Sequence, residues 1–475
     1  MKALVTIANY GTGNDRYLKQ VLDEYRGMRG NLDIDLVVTS NVAKELGADV
    51  EVIVGLPTKN PRSLPFAHKQ IFAERRSRYD LFTYVEDDIL ITQRNIEAFL
   101  ESTKILAENE YAGFFRTERD ASGRIYFPDV HRQYHWDAGS VCSRGGRTFA
   151  FFSNEHSGCY ILTRDQLDRA IASGGFLVPF HEGRYEPLES AATDPFTQCG
   201  FRKLVCISHL EDFIVPHLSN KYAGKECLSA EEFYRQIKAL PAVCNNGKPK
   251  STLFPVETRL YHTHWSKNFY EPVQNKLIEL VPEGTCTVLS VGCGWGETEK
   301  ALIDRGIQVK AIPIDSVIAV NAESRGVEIV YTDMARARAT LGTERFDCIL
   351  FSNVLHLVEK PDELLGQFSE LLAPGGTMIA SAPNVTMVRL LARRYRFGQA
   401  AIPKGYAKSG MHATTAPRVR NWFRKAGLTP TKTAYDIVEE GKRTADELSM
   451  GLAQPILGSN VYIAASKREK RAAKS

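Results

Sequence analysis

Residues 288–296 read VLSVGCGWG, an apolar run broken by three alternating glycines, Gly292, Gly294 and Gly296. Glycine at these positions lets a strand turn sharply into a helix, and lets its backbone approach a ligand with no Cβ in the way. The next apolar segment ends in an acid, Asp315, 19 residues after Gly296. Such a pattern constrains the chain to a strand–turn–helix–strand unit of a parallel sheet, with a nucleoside-bearing cofactor across the carboxyl ends of the strands. The unit sits past the middle of the chain. More than 260 residues precede it, enough for a second domain with its own chemistry.

At 475 residues a single core rarely serves the whole chain, so two domains are expected. A chain 43% hydrophobic and 24% charged, with a mean hydropathy of −0.25, is ordinary for a soluble globular protein. A net charge of +4 is too slight to imply a nucleic-acid partner. Basic residues gather at the end, in KREKRAAKS, which reads as a solvated tail or as a weak contact with anionic lipid headgroups. The nine cysteines form no CxxC pair and no zinc spacing, and an odd number argues against a disulfide framework, so a reducing cytoplasm fits. The opening MKALVTIANYG reads as a first strand, and no window approaches the ~18 apolar residues of a membrane span.

Strand and helix signals alternate over the first 110 residues, which argues for a wound α/β sheet. Lys2–Ala8 is an apolar strand, and Asn14 or Asp15 can cap a helix whose apolar face is Tyr17, Leu18, Val21, Leu22 and Tyr25. Residues 111–220 are less regular and rich in aromatic loops. A polar helix near 229–240 precedes a linker at 245–250, and α/β periodicity resumes from about Phe269.

In the second half, a dinucleotide fingerprint would need glycine at 297, where Glu297 stands. An acid there suits a pyrophosphate poorly, so a cofactor without phosphates fits better. The ordered segments VLSVGCGWGETEKAL, AIPID, YTDM, FDCILFSNVLHLVEKPDELLGQFSELLAPGGTMIASAPN and HATTAPRVRNWFRKAGL resemble class I S-adenosylmethionine-dependent methyltransferases over about residues 268–465. The resemblance implies that Gly292, Gly294 and Gly296 contact the methionine end of the cofactor, Asp315 the ribose, and Asp333 with Met334 the adenine. It implies that Asn353 faces the sulfonium. Two departures stand out: the residue two before Gly292 is commonly acidic in the family and here is Ser290, and the frequent Glu-His-Leu appears as Leu355-His356-Leu357. Methyl transfer to a hydroxyl needs a base, for which His356 and His412 are candidates, although a hydrogen-bonded structural histidine is as good a reading of either. A non-catalytic Rossmann-like domain is the competing reading of the whole segment.

In the first half, YVEDDILI sets Glu86, Asp87 and Asp88 directly after an apolar strand. Carboxylates this close repel unless solvated or neutralised by a cation, and such oxygen sites suit Mg²⁺ or Mn²⁺ bridging to a diphosphate. The competing reading is an acidic start to a helix at about 93–107. Over about residues 1–225 the arrangement resembles glycosyltransferases of the GT-A fold, with EDD as the counterpart of their DxD metal motif. By that resemblance Asp88 is a metal ligand, joined from the C-terminal side by a histidine for which His209 and His217 are on offer and His217, before a polar loop, is preferred. Glu86 and Asp87 contact ribose, sugar or metal-bound water; Thr6, Asn9 and Tyr10 border the base; Lys69 and Arg75 are candidates for the diphosphate. An inverting transfer needs a carboxylate base, for which Asp194, Asp212 and Glu189 remain open. Tyr134 and Trp136 can stack a sugar ring, or simply pack.

The expected architecture is therefore α/β in two domains. A GT-A-like nucleotide-sugar-binding domain (1–225) precedes a helix and linker (226–267), a Rossmann-like class I methyltransferase domain (268–465) and a basic tail (466–475). Its expected partners are a nucleotide-sugar donor and a glycan acceptor, and its expected cofactors S-adenosylmethionine and Mn²⁺ or Mg²⁺. The alternative keeps the methyltransferase and makes the first domain a non-catalytic carbohydrate-binding module.

Overall fold

Strand β1 (Lys2–Asn9) is apolar at five of its eight positions and buried along almost its whole length, as a central strand covered on both faces must be. In the computed structural model it pairs in parallel with β2 (Asp33–Ser40) on one side, which in turn pairs with β3 (Val50–Val54). On its other side lies β4 (Leu81–Glu86), also parallel, followed by antiparallel β5 (Cys159–Thr163). The order is β5-β4-β1-β2-β3. The winding thus reverses between β1 and β4, and the crevice outside their carboxyl ends is where ligands bind in open α/β sheets.

The structure describes residues 1–225, 227–245, 252–254, 256–386, 402–403, 405–437, 450 and 453–467, in two units, Met1–Ile237 and Lys238–Ser475. Most of the expected linker and nearly all of the basic tail fall outside the described residues. In the first unit, helix α1 (Asp15–Gly27) buries Leu18, Val21, Leu22 and Tyr25 against the sheet. Asn14 stands at its N-cap but makes no capping bond. Helix α2 (Gln93–Thr103) starts from a Thr92/Asn95 capping box, so the acidic triplet is not its cap. Two further four-stranded sheets fill the irregular region, one of them containing the neighbouring strands Phe115–Arg119 and Ile214–Pro216.

The second unit holds one seven-stranded sheet. Strands β6 (Thr287–Cys293), β7 (Gln308–Pro313), β8 (Glu328–Ile329), β9 (Phe346–Phe351) and β10 (Leu372–Pro383) are parallel; β11 (Leu428–Asp436) and β12 (Asn460–Lys467) complete it. The order is β8-β7-β6-β9-β10-β12-β11, with β12 antiparallel to both neighbours. Alternation along the strands splits the core between the two faces. Leu289, Val291, Ile349, Phe351, Met378 and Ile463 share one cluster, and Val288, Cys348, Leu350, Ile379 and Tyr462 the other. Each large apolar side chain so buried contributes about 1.5–3 kcal/mol. The winding reverses again, between β6 and β9, which puts the glycine turn and Asn353 on either side of a second crevice.

All nine cysteines are free thiols. Among the described residues no helix is long and apolar enough to cross a membrane.

Candidate active sites

At the end of β6 the chain passes through Gly292 to Gly296, which caps helix α3 (Glu297–Ile303) with φ of +93°. A Cβ on Gly296 would lie 2.6 Å from that of Ala322, and one on Gly294 would strike the Phe269 carbonyl oxygen. The immediate reason for glycine here is therefore close packing by the chain's own segments. Glu297 is ion-paired with Arg325 at 2.8 Å, so its charge is partly neutralised. The acid missing at 290 has a counterpart on α3: the Ser290 hydroxyl donates to Glu299 at 2.6 Å, with both residues buried.

Asp315 is 1% exposed, and its Oδ1 accepts the backbone N–H groups of Val317 and Ile318 at 2.8 and 2.9 Å. Asp333 caps the helix Met334–Leu341 by accepting from Arg336 N–H at 2.8 Å, and Met334 is half-buried against the core. Across the crevice Asn353 adopts φ of +50°, a left-handed conformation that asparagine tolerates better than most residues. Its Nδ2 donates to Glu271 Oε2 at 3.2 Å, while its Oδ1 is buried with no hydrogen-bond partner. Glu271 also accepts from the Ser352 hydroxyl at 2.7 Å and pairs with Lys267.

His356 does not have the character of the expected base. It is 1% exposed, and its Nε2 lies 2.8 Å from the Trp265 carbonyl oxygen, which can only accept, so Nε2 carries the proton. Burial pushes its pKa down to about 4. Such an imidazole takes up a proton poorly. His412 likewise donates from Nε2 to the Glu359 carbonyl at 3.0 Å.

At the first crevice the acidic triplet is held by residues far away in sequence. Asp87 accepts from Asn9 Nδ2 at 2.6 Å and from Asn14 Nδ2 at 2.7 Å, which explains why Asn14 does not cap α1. Burial pushes Asp87 up to about 6, and Glu86 up to about 7. Asp88 meets His217 Nε2 at 3.0 Å, and the two are also joined through backbone, since Leu218 N–H donates to the Asp88 carbonyl at 2.7 Å. Nδ1 of the same ring faces buried Glu118 at 2.5 Å. Burial alone would lower the His217 pKa, but its hydrogen bonds to Asp88 and Glu118 outweigh this and raise it. Burial would raise Asp88, yet His217 and Ser219 hold it below the usual carboxylate range.

Among the described residues no three His, Cys, Asp or Glu side chains form a metal cage. The 3.0 Å between Asp88 and His217 Nε2 is a hydrogen-bond distance, and both ring nitrogens of His217 face carboxylates.

Several expected contacts are not brought to this crevice. Thr6 is buried in mid-strand because β1 runs on to Asn9; Tyr10, at 53% exposed, does lie just past the strand end. Asp194 is 0% exposed and forms a buried ion pair with Lys69, so both are taken up by each other. Asp212 pairs with Arg94, and Arg75 binds Glu51 through two bonds of 2.7 Å. Trp136 is a core residue packed on Phe115 and Phe152, and Tyr134 is also buried, so neither offers a sugar platform. Elsewhere in the unit a cleft of about 310 Å³ is lined by Glu155, His181, Arg184, Tyr185, Ser190 and Thr197, among others.

The order of β6–β12 and the glycine turn at its switch point define the Rossmann-like methyltransferase fold. Residues 255–433 match the family model described as a methyltransferase domain, and this stretch is a class I S-adenosylmethionine-dependent methyltransferase domain. Among relatives, a ubiquinone biosynthesis O-methyltransferase of Cereibacter sphaeroides is 34% identical over 151 residues, covering 30% of this chain and 60% of the relative. A protein of the same description from Caulobacter sp. is 34% identical over 109 residues, covering 22% and 43%. The chain thus spans about half the length of these relatives. A solved SAM-dependent methyltransferase from Archaeoglobus fulgidus aligns at 18% identity with a TM-score of 0.32, covering 41% of this chain and 90% of that one.

Proposed function

We propose that the chain carries two transferases acting on one glycan: S-adenosylmethionine-dependent O-methylation in the second unit and metal-dependent sugar transfer from a nucleotide-sugar in the first. For the methyl transfer, one observation supports the reading most strongly. The glycine turn, Asp315 and Asn353 meet at the reversal of a parallel sheet. When bound there, the cofactor supplies a methyl group on a sulfonium leaving group. The protein's part is alignment: Asp315 beside the ribose, Asp333 and Met334 beside the adenine, and the turn from Gly292 to Gly296 beside the methionine end. The relatives named as O-methyltransferases favour oxygen as the methylated atom.

For the sugar transfer, the support is Asp88 and His217 held together at the other switch point, backed by Glu118. A divalent cation on that pair would neutralise the diphosphate of the leaving nucleotide. Asn9, Tyr10, Glu86 and Asp87 border the same strand ends, where the nucleoside and sugar would lie. Asp194 and Asp212 are engaged by Lys69 and Arg94, which leaves Glu189 as the base candidate without an ion pair among those three. That engagement is also what favours a second reading, in which the first unit binds carbohydrate without transferring it.

A panel of nucleotide-sugars, scored for hydrolysis with and without Mn²⁺, tests the first unit. Metal-dependent turnover of one donor supports transfer. Glycan binding with no turnover by wild type or by Asp88→Ala favours the binding module. Incubation with S-adenosylmethionine and candidate glycans tests the second unit, and methyl incorporation only into protein or small metabolites would overturn the shared-glycan reading.

A further inference from the structure

The loss of an acid at position 290 leaves the methionine end of the cofactor without the carboxylate that usually stands there. Three other carboxylates lie near the glycine turn, and one of them, Glu297, is taken by Arg325 at 2.8 Å. Glu299 is 4% exposed and already accepts from the Ser290 hydroxyl. Glu271 is different. It arrives from the segment that runs over the turn, where Phe269 crowds Gly294 and the Trp295 indole donates to the Glu271 carbonyl at 2.8 Å. Its side chain is 13% exposed and reaches the end of β9.

The hydrogen-bond inventory at that point is unbalanced in one direction. Glu271 Oε1 is occupied by Lys267 and the Ser352 hydroxyl. Oε2 receives a single bond of 3.2 Å from Asn353 Nδ2. The other end of the same amide, Asn353 Oδ1, is buried and accepts nothing. A buried acceptor left unpaired costs about 1–3 kcal/mol. The left-handed backbone of Asn353 holds this arrangement at the strand end. Of these two neighbouring acceptors the anionic Oε2 holds one long bond and the Asn353 carbonyl none, and an ammonium group with three N–H bonds is the group that supplies donors to both.

We propose that Glu271, with Asn353 Oδ1, binds the α-ammonium of the cofactor's methionine portion in place of the acid absent at 290. The assignment rests on the methyltransferase reading of the second unit. Lys267 orients the carboxylate by holding Oε1 and is itself fixed by the Ser352 carbonyl at 2.7 Å. Glu271 is thus a binding residue, and Lys267 a positioning one.

Calorimetric titration of the full chain with three ligands tests it. S-adenosylhomocysteine carries the ammonium, S-adenosyl-4-thiobutyrate is the same molecule without it, and methylthioadenosine lacks the whole amino-acid portion. Wild type should prefer the homocysteine ligand over its deamino analogue by roughly ten- to hundredfold, the usual value of a hydrogen bond to a charged group. Glu271→Gln should erase that preference while leaving methylthioadenosine binding within about twofold. The ligand comparison on wild type needs no variant to fold. Equal affinity of wild type for the first two ligands overturns the assignment, as does equal weakening of all three by Glu271→Gln. Selective loss in Glu299→Gln instead assigns the ammonium to the buried acid. If wild type binds none of the three at millimolar concentration, the methyltransferase reading itself falls, an outcome distinct from the others.

Discussion

At the scale of single residues, what decides the behaviour of both crevices is how buried polar groups are shared out. His356 is the sharpest case. Its pKa is pushed down to about 4 by burial, while an unfolded histidine titrates near 6.5. Between those values the unfolded chain binds the extra proton, so stability falls as pH drops from about 6.5 to 4, by up to roughly 3 kcal/mol. Replacing His356 with glutamine should flatten that limb of the stability-versus-pH curve for the second unit, measured by urea unfolding at a series of pH values. Gly294→Ala should lower the melting temperature and weaken S-adenosylhomocysteine binding together, because the new methyl strikes the Phe269 carbonyl and the turn must shift. The glycine turn and the place of Asp315 just past a strand end were legible in the chain because both lie in local spacing. Glu271 and Glu118 were not: their partners stand 82 and 99 residues away. The run FRTER carries one hint, since Arg116 and Glu118, two residues apart, fall on the same strand face.

Elements were easier to read than the contacts between them. The apolar strands at 2–9, 81–86 and 287–293 stood out by composition, and α1 buries all but one of the residues its periodicity marked. What misled was capping chemistry. Asn14 sits where a cap belongs yet spends its amide on Asp87, whereas α2 takes its cap from Thr92 instead of the acids before it. Thr92→Ala should therefore cost the first unit about 1 kcal/mol, read as a shift in its unfolding midpoint with no change in the second. The aromatic loop at 131–137 misled for another reason. Sequence cannot distinguish a ring displayed to solvent from one that fills a core, and Trp136 is fully buried.

On the scale of the whole molecule, each unit carries its own sheet and its own switch point. The two proposed chemistries should therefore separate under mutation. Asp88→Ala is expected to remove metal-dependent nucleotide-sugar turnover and leave S-adenosylhomocysteine affinity unchanged. Asp315→Ala should weaken that affinity at least tenfold and spare the sugar reaction; paired calorimetry and donor-hydrolysis assays on both variants check this. The placement of β12 adds a consequence in time. This strand, Asn460–Lys467, is inserted between β10 and β11, so the sheet cannot close until residue 467 has left the ribosome. The first unit is complete by Ile237, some 230 residues earlier. At translation speeds of about 5–20 residues per second, that gap is roughly 10–50 s. For that interval a nascent chain holds a finished first crevice while the second sheet stays open, with β10 paired on its β9 edge only and β11 unpaired, and the second crevice matures last.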